Sequence, residues 1–186
     1  DGSLAVANFA ADGVDAAIRF GTGPYPGLHA EALVNEDVVP VCSPALLQGA
    51  HPLVTPEDLA HHTLIHVDWF AAAGTQPDWA MWLKTAGVSV PNSTRGPVMT
   101  SDSLAVEAAI NGGGVALVSE FLVRHDLDSG RLIKPFDLVL ASDHWYWFVC
   151  PVEYLDRPNV RAFHDWLIAA IQADPAGARP MPATGQ

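Results

Sequence analysis

Short apolar runs closed by glycine or proline alternate with segments of helical periodicity along most of this chain. Val14, Ala16, Ala17, Ile18 and Phe20 make an apolar run that ends at Gly21-Thr22-Gly23-Pro24, the pattern of a buried strand entering a glycine-rich turn. Val38-Val39-Pro40-Val41-Cys42, closed by Ser43-Pro44, predicts another strand. Pro40 lacks one ladder donor, which places that strand at a sheet edge or a crossover. Thr55-Pro56-Glu57-Asp58 has the form of a helix start, with Thr55 at the cap, Pro56 at the first helical position and Asp58 where a capping-box acid falls. Residues 63–67 then predict a strand, and 78–86 a helix stopped at Gly87.

The clearest periodic segment starts at Thr100-Ser101-Asp102. Leu104, Ala105, Ala108 and Ala109 form its apolar helix, and Asn111-Gly112-Gly113-Gly114 ends it. Residues 115–118 predict a strand, and Ser119 the cap of a short helix reaching toward His125. Residues 132–135 and 145–150 predict further strands. The last helix runs from 158 to about 171, with Val160, Phe163, Leu167, Ala170 and Ile171 at 3.6-residue spacing. Residues 174–186 are rich in Pro, Gly and Ala without periodicity, which predicts a disordered tail. Strands alternating with helices predict an α/β fold with largely parallel sheets.

Composition narrows this picture. At 186 residues and 49% apolar content the chain has material for a sizeable core, within the range of about 100–200 residues per domain. Nine Lys plus Arg against 21 Asp plus Glu give a formal charge of −12. Duplex binding depends on cations that neutralise phosphates, and these are few and scattered, so these residues are not expected to bind DNA. Cys42 and Cys150 are too few for a disulfide-scaffolded fold. No apolar run reaches the roughly 18–20 residues of a membrane span, and the start shows no signal-peptide pattern. The expectation is a cytoplasmic chain without membrane contact.

Candidate chemistry is sparse. His61-His62, with His66 and Asp68 nearby, matches no zinc spacing, so solvated loop histidines are the simpler reading and no metal is expected. Each cysteine lies in an apolar run, as a buried inert thiol would. No nucleophile elbow or phosphate loop is present, and Gly112-Gly113-Gly114 follows a helix instead of opening one. Neither a catalytic residue nor a cofactor is therefore expected. Binding remains. The helix start at Thr100-Ser101-Asp102 offers hydroxyls, free amides and a positive dipole end to an anion, although N-capping alone explains the same residues. Thr22-Gly23-Pro24-Tyr25 follows a strand end, where ligands sit in open α/β sheets, and reads equally well as an ordinary turn. Trp145-Tyr146-Trp147 alternates faces, so that one face belongs to the core and the other is open to line a cleft.

The stretch Gly13 to Gly21, then Gly27-Leu28, then Val39-Pro40-Val41-Cys42-Ser43-Pro44 resembles the effector-binding domain of LysR-type transcriptional regulators, in the branch with the glycine-cleavage and β-lactamase regulators. Pro56 to Leu59, Ser101 to Leu117 and Trp145-Tyr146-Trp147 extend the resemblance to about residue 173. It implies a type 2 periplasmic-binding-protein-like α/β fold, with two α/β subdomains joined by two crossover strands. Residues 1–39 with 138–173 would form the first subdomain and 40–137 the second. It also implies a small, anionic effector in the cleft between them. Thr22, Gly23 and Tyr25 would face Asp68, Phe70, Met99, Thr100 and Ser101, with Trp145 and Tyr146 near the hinge, and this favours the ligand reading of Thr100 and Ser101 over simple capping. By the same resemblance the domain associates with copies of itself, DNA is contacted only by an N-terminal helix-turn-helix outside these residues, and no reaction is catalysed. The first subdomain would be incomplete at its N-terminal side, as in a portion of a longer polypeptide. Two other classes share this scaffold: an extracytoplasmic solute-binding protein, and a small-molecule enzyme for which no acid–base pair is visible.

Overall fold

A computed structural model describes residues 6–68 and 77–173. The tail expected at 174–186 and the candidate Phe70 lie outside the described residues. The chain divides into two compact units, one holding residues up to Asn35 and from Asp143 onward, the other Glu36–Ser142. No helix among the described residues is long and apolar enough to cross a membrane.

The first unit is built on a three-stranded sheet in the order β1 (Ala17–Gly21), β7 (Trp145–Pro151), β2 (Leu28–Asn35). Both pairings are antiparallel, with Arg19 opposite Trp147, Phe20 opposite Tyr146 and Ala32 opposite Trp147. Side chains alternate across this sheet. Ile18, Phe20, Tyr146, Phe148 and Glu31 fall on one face, and Arg19, Trp147 and Ala32 on the other. Helix α4 (Pro158–Ala173) covers the first face, where Phe163 and His164 meet Phe148 at ring separations of 6.2 and 5.0 Å.

The second unit holds a four-stranded sheet in the order β3 (Val38–Val41), β6 (Val115–Ser119), β4 (Leu64–Val67), β5 (Val98–Met99). β4 runs parallel to both neighbours, and β3 pairs antiparallel with β6. Helices α1 (Trp79–Ala86), α2 (Asp102–Ile110) and α3 (Glu120–Asp128) complete the unit. The sheet separates two apolar clusters. Val38, Leu64, Val115 and Leu117 point toward Trp79, Trp82 and Leu83 of α1, and Val39, Val41, Ile65, Ala116 and Val118 toward Ala105, Ala109 and Val123 of α2 and α3. Trp79 and Trp82 are buried with their indole N–H groups satisfied, donating to the carbonyls of Ile65 and Leu138 at 3.0 and 3.1 Å.

Pro40 lies on edge strand β3 as its missing donor requires. Val38 and Cys42 donate outward to the carbonyls of Leu140 and Ile133 at 3.0 and 3.1 Å, and Pro40 falls midway on that same side, so no ladder bond is lost.

Several expectations are corrected. The sheets are not largely parallel: one is wholly antiparallel and the other mixed. β2 and the two-residue β5 carry no signal that the periodicity detected. Residues 132–135 contribute only the Cys42–Ile133 bridge, not a strand. The segment after Thr55 is a 3-10 turn, Pro56–His61, although Asp58 does take the capping role, accepting from the Thr55 and Val54 amides at 2.8 and 3.1 Å. Those bonds to the charged form pull the Asp58 carboxyl below its ordinary value. Ser119 closes β6 and donates to Glu36 Oε2 at 3.3 Å, so its hydroxyl does not cap α3.

Candidate functional site

In the second unit, β4 and β5 run side by side and end together. The Asp68 amide donates to the Met99 carbonyl at 2.8 Å, extending the pairing one residue past Val67. Thr100 follows at once and Ser101 caps α2, its Oγ accepting from the Leu104 amide at 3.4 Å. The Ala105 amide returns to the Ser101 carbonyl, which leaves the amides of Asp102 and Ser103 outside the helical ladder. Asp68 and Thr100 are exposed, whereas Met99 and Ser101 are half-buried. Four expected site residues, Asp68, Met99, Thr100 and Ser101, thus meet at the carboxyl ends of two parallel strands, the position where open α/β sheets hold ligands. Asp102, first residue of α2 and buried, already gives this helix end the negative charge its dipole favours.

In the first unit, β1 runs into Thr22 and Gly23. Trp147 shapes this turn: its Nε1 donates to the Gly21 carbonyl at 2.8 Å, and a Cβ on Gly23 would stand 2.9 Å from its ring. Tyr25 folds back against Trp147 edge-on at 6.0 Å and receives the Arg19 guanidinium over its ring at 5.3 Å. Burial pushes the Tyr25 phenol above its ordinary value, opposed by the Arg19 charge, so it stays a neutral donor. Thr22 is exposed, with its hydroxyl 3.4 Å from the Gly23 carbonyl.

Tyr25 and Tyr146 are not brought together. Tyr146 packs against Phe20 with tilted rings at 5.2 Å on the Phe148 face of the sheet, while Tyr25 lies with Trp147 on the opposite face. Trp145, paired with Gly21, shares the Trp147 face by alternation. The aromatic that meets the Gly23 turn is therefore Trp147, which the sequence offered only as one member of an alternating triplet. Arg19 was hidden for a similar reason, as a single cation inside an apolar run.

The other candidates are structural. His61 stacks on His51 at 4.4 Å, and His62 Nε2 meets the His51 carbonyl at 3.0 Å. Among the described residues no three His, Cys, Asp or Glu gather as metal ligands would. Both cysteines are buried, and burial lifts the Cys42 thiol to about 11, which keeps it protonated. A cavity of about 20 Å³, space for one water, is lined by Ile65, His66, Val67, Pro77, Asp78, Trp79 and Leu117 and touches none of the expected site residues.

Two α/β units, with β1, β2 and β7 assembled from both ends of the chain and the middle folded separately, define an effector-binding domain. The chain belongs to the LysR substrate binding domain family, which matches residues 2–172. Its fold is the type 2 periplasmic-binding-protein-like α/β fold. The glycine cleavage system transcriptional activator of Escherichia coli strain K12 is 38% identical over 164 residues, 88% of this chain and 52% of that protein. The HTH-type transcriptional activator AmpR of Citrobacter koseri is 32% identical over 163 residues, 88% of this chain and 53% of that one. The chain thus spans about half the length of these relatives. Among solved structures, the effector domain of AmpR from Pseudomonas aeruginosa matches with a TM-score of 0.69 at 27% identity, over 92% of this chain and 78% of that one. The AmpR effector binding domain of Citrobacter freundii gives 0.69 at 28%, over 90% and 80%.

Proposed function

We propose that this chain is the sensing part of a cytoplasmic LysR-type transcription regulator and that its effector is a small anionic metabolite. The observation that carries this reading is the joint ending of β4 and β5 at Asp68 and Met99, with Thr100 and Ser101 presented at the start of α2. In this proposal the effector lies in the cleft that the family resemblance implies. Thr100 and Ser101 hydrogen-bond it, Asp68, Phe70 and Met99 line the second unit's side, and Thr22, Gly23 and Tyr25 the first unit's, with Trp145 and Tyr146 toward the hinge. The relatives are transcription regulators, which favours this role over solute capture for transport. Effector binding would bias two arrangements of a self-associated regulator, and DNA would be contacted by a helix-turn-helix elsewhere in the polypeptide.

Thr100→Val is the cleanest test, because Ser101 alone makes the cap bond. A thermal-shift screen of amino acids and small carboxylates, followed by calorimetry with the best binder, should show Thr100→Val weakening affinity by at least about 1 kcal/mol, the scale of one hydrogen bond. Ser101→Ala should do the same and also lower stability by about 1 kcal/mol through the lost cap. Unchanged affinity in both variants would overturn the assignment.

A further inference from the structure

We propose that Arg19 is the cation that captures the negative charge of the effector, through a carboxylate or phosphate group; this deepens the reading above and rests on it. In a chain of net charge −12, capture of an anion needs a dedicated positive group. The start of α2 does not supply it alone, since Asp102 already places a carboxylate there. Three other cations are paired with acids: Arg131 with Asp126, Lys134 with Glu120 and Arg157 with Asp15. Arg19 forms no ion pair among the described residues. Its side chain is half-buried on the Trp147 face of the first unit's sheet. The guanidinium stands over both the Phe9 and Tyr25 rings at 5.3 Å, which orders it without neutralising it. One terminal nitrogen donates to the Ala7 carbonyl at 3.1 Å, while the buried Nε has no hydrogen-bond partner. A desolvated donor left open is destabilising, and an oxyanion is the acceptor that best relieves it. The charge stands beside the Thr22–Tyr25 turn, whose neutral phenol can donate to the same anion.

The test uses the unaltered 186-residue chain first. Sodium succinate and inorganic phosphate are titrated separately against sodium chloride of equal ionic strength, while the Arg19 Nε–H resonance, assigned by its loss in Arg19→Lys, is followed by NMR. A saturable shift with succinate or phosphate, absent with chloride, is expected, and which of the two saturates at lower concentration identifies the group. Arg19→Lys, which keeps the charge and the aliphatic stem, should bind the same anion at least tenfold more weakly by calorimetry, the readout used to compare all variants, with its indole N–H spectrum unchanged. No saturable shift with either anion, or equal affinity in Arg19→Lys, overturns the proposal. Thr100→Val separates the two readings. If succinate binding weakens in Thr100→Val but not in Arg19→Lys, Arg19 is wrong and the effector site stands. If it weakens only in Arg19→Lys, the anion site stands and the Thr100 assignment falls.

Discussion

Gly96 and Gly114 stand on opposite sides of β4 and make its two neighbours possible. Each lies just before a strand that pairs with β4, Gly114 ahead of β6 and Gly96 ahead of β5. A Cβ on Gly114 would fall 2.3 Å from the Thr63 carbonyl oxygen, and one on Gly96 1.9 Å from that of Leu64. Both carry φ near +150°, where side-chain-bearing residues are strained. The obstructing atoms are backbone, so no rotamer change relieves the clash, and the sheet must open. Gly114→Ala and Gly96→Ala are each expected to destabilise by at least about 2 kcal/mol, through strain and lost pairing, as read by urea denaturation. Gly112, with nothing near its Cβ position, is the control. A Gly96→Ala midpoint no lower than that of Gly112→Ala would refute the close-approach argument.

At the scale of elements, β2 and α4 are clipped together by ionisable side chains. His164 Nε2 on α4 meets Glu31 Oε2 on β2 at 2.8 Å; its Nδ1 faces Asp165 at 3.2 Å, and His29 stands 3.9 Å from the same Glu31 oxygen. The bond to Glu31, more than the opposing desolvation, raises the His164 pKa above its ordinary value, which for a free histidine is about 6.5. A pKa raised by folding contributes stability that is fully present below about pH 6.5 and lost as pH climbs through the raised value. His164→Gln should therefore lower the melting temperature more at pH 5.5 than at pH 8.5, by circular dichroism; equal decrements would remove the charged clip. This contact also shows why part of the fold escaped the sequence. β2 reads Leu28-His29-Ala30-Glu31-Ala32-Leu33-Val34-Asn35, in which alanines and a glutamate blur the period-two signal and a register shift after Ala32 breaks it. α1 and α2 were legible because caps and a glycine mark their ends locally, as at Asp78, Ser101 and Gly87, and α4 through its 3.6-residue apolar spacing. Strand direction was not, because β7 enters between β1 and β2 from more than a hundred residues away. The candidate site divides the same way. The helix start at Thr100 and Ser101 was legible from its capping pattern, whereas the placement of Arg19 opposite Trp147 exists only when β1 and β7 pair.

For the whole molecule, the two units differ in how their central strands are covered. β6 is buried at all five positions, with Val115 and Leu117 in one apolar cluster and Ala116 and Val118 in the other. β7 is likewise paired on both edges and is buried from Phe148 to Pro151, but its first three residues, Trp145, Tyr146 and Trp147, stay half-buried. Backbone pairing is thus equivalent in the two strands while apolar coverage is not, and burial of apolar surface is the larger stabilising term. Local opening follows the least-covered element. Hydrogen–deuterium exchange on the 186-residue chain should accordingly find the β6 amides exchanging at least about tenfold more slowly than those of β7, the ratio expected for about 1.4 kcal/mol of extra opening free energy. Equal protection in β6 and β7 would mean that both units open in one cooperative step. In that event a substitution in either unit, including Gly114→Ala in the unit that does not hold β7, would lower the protection of both strands by the same factor.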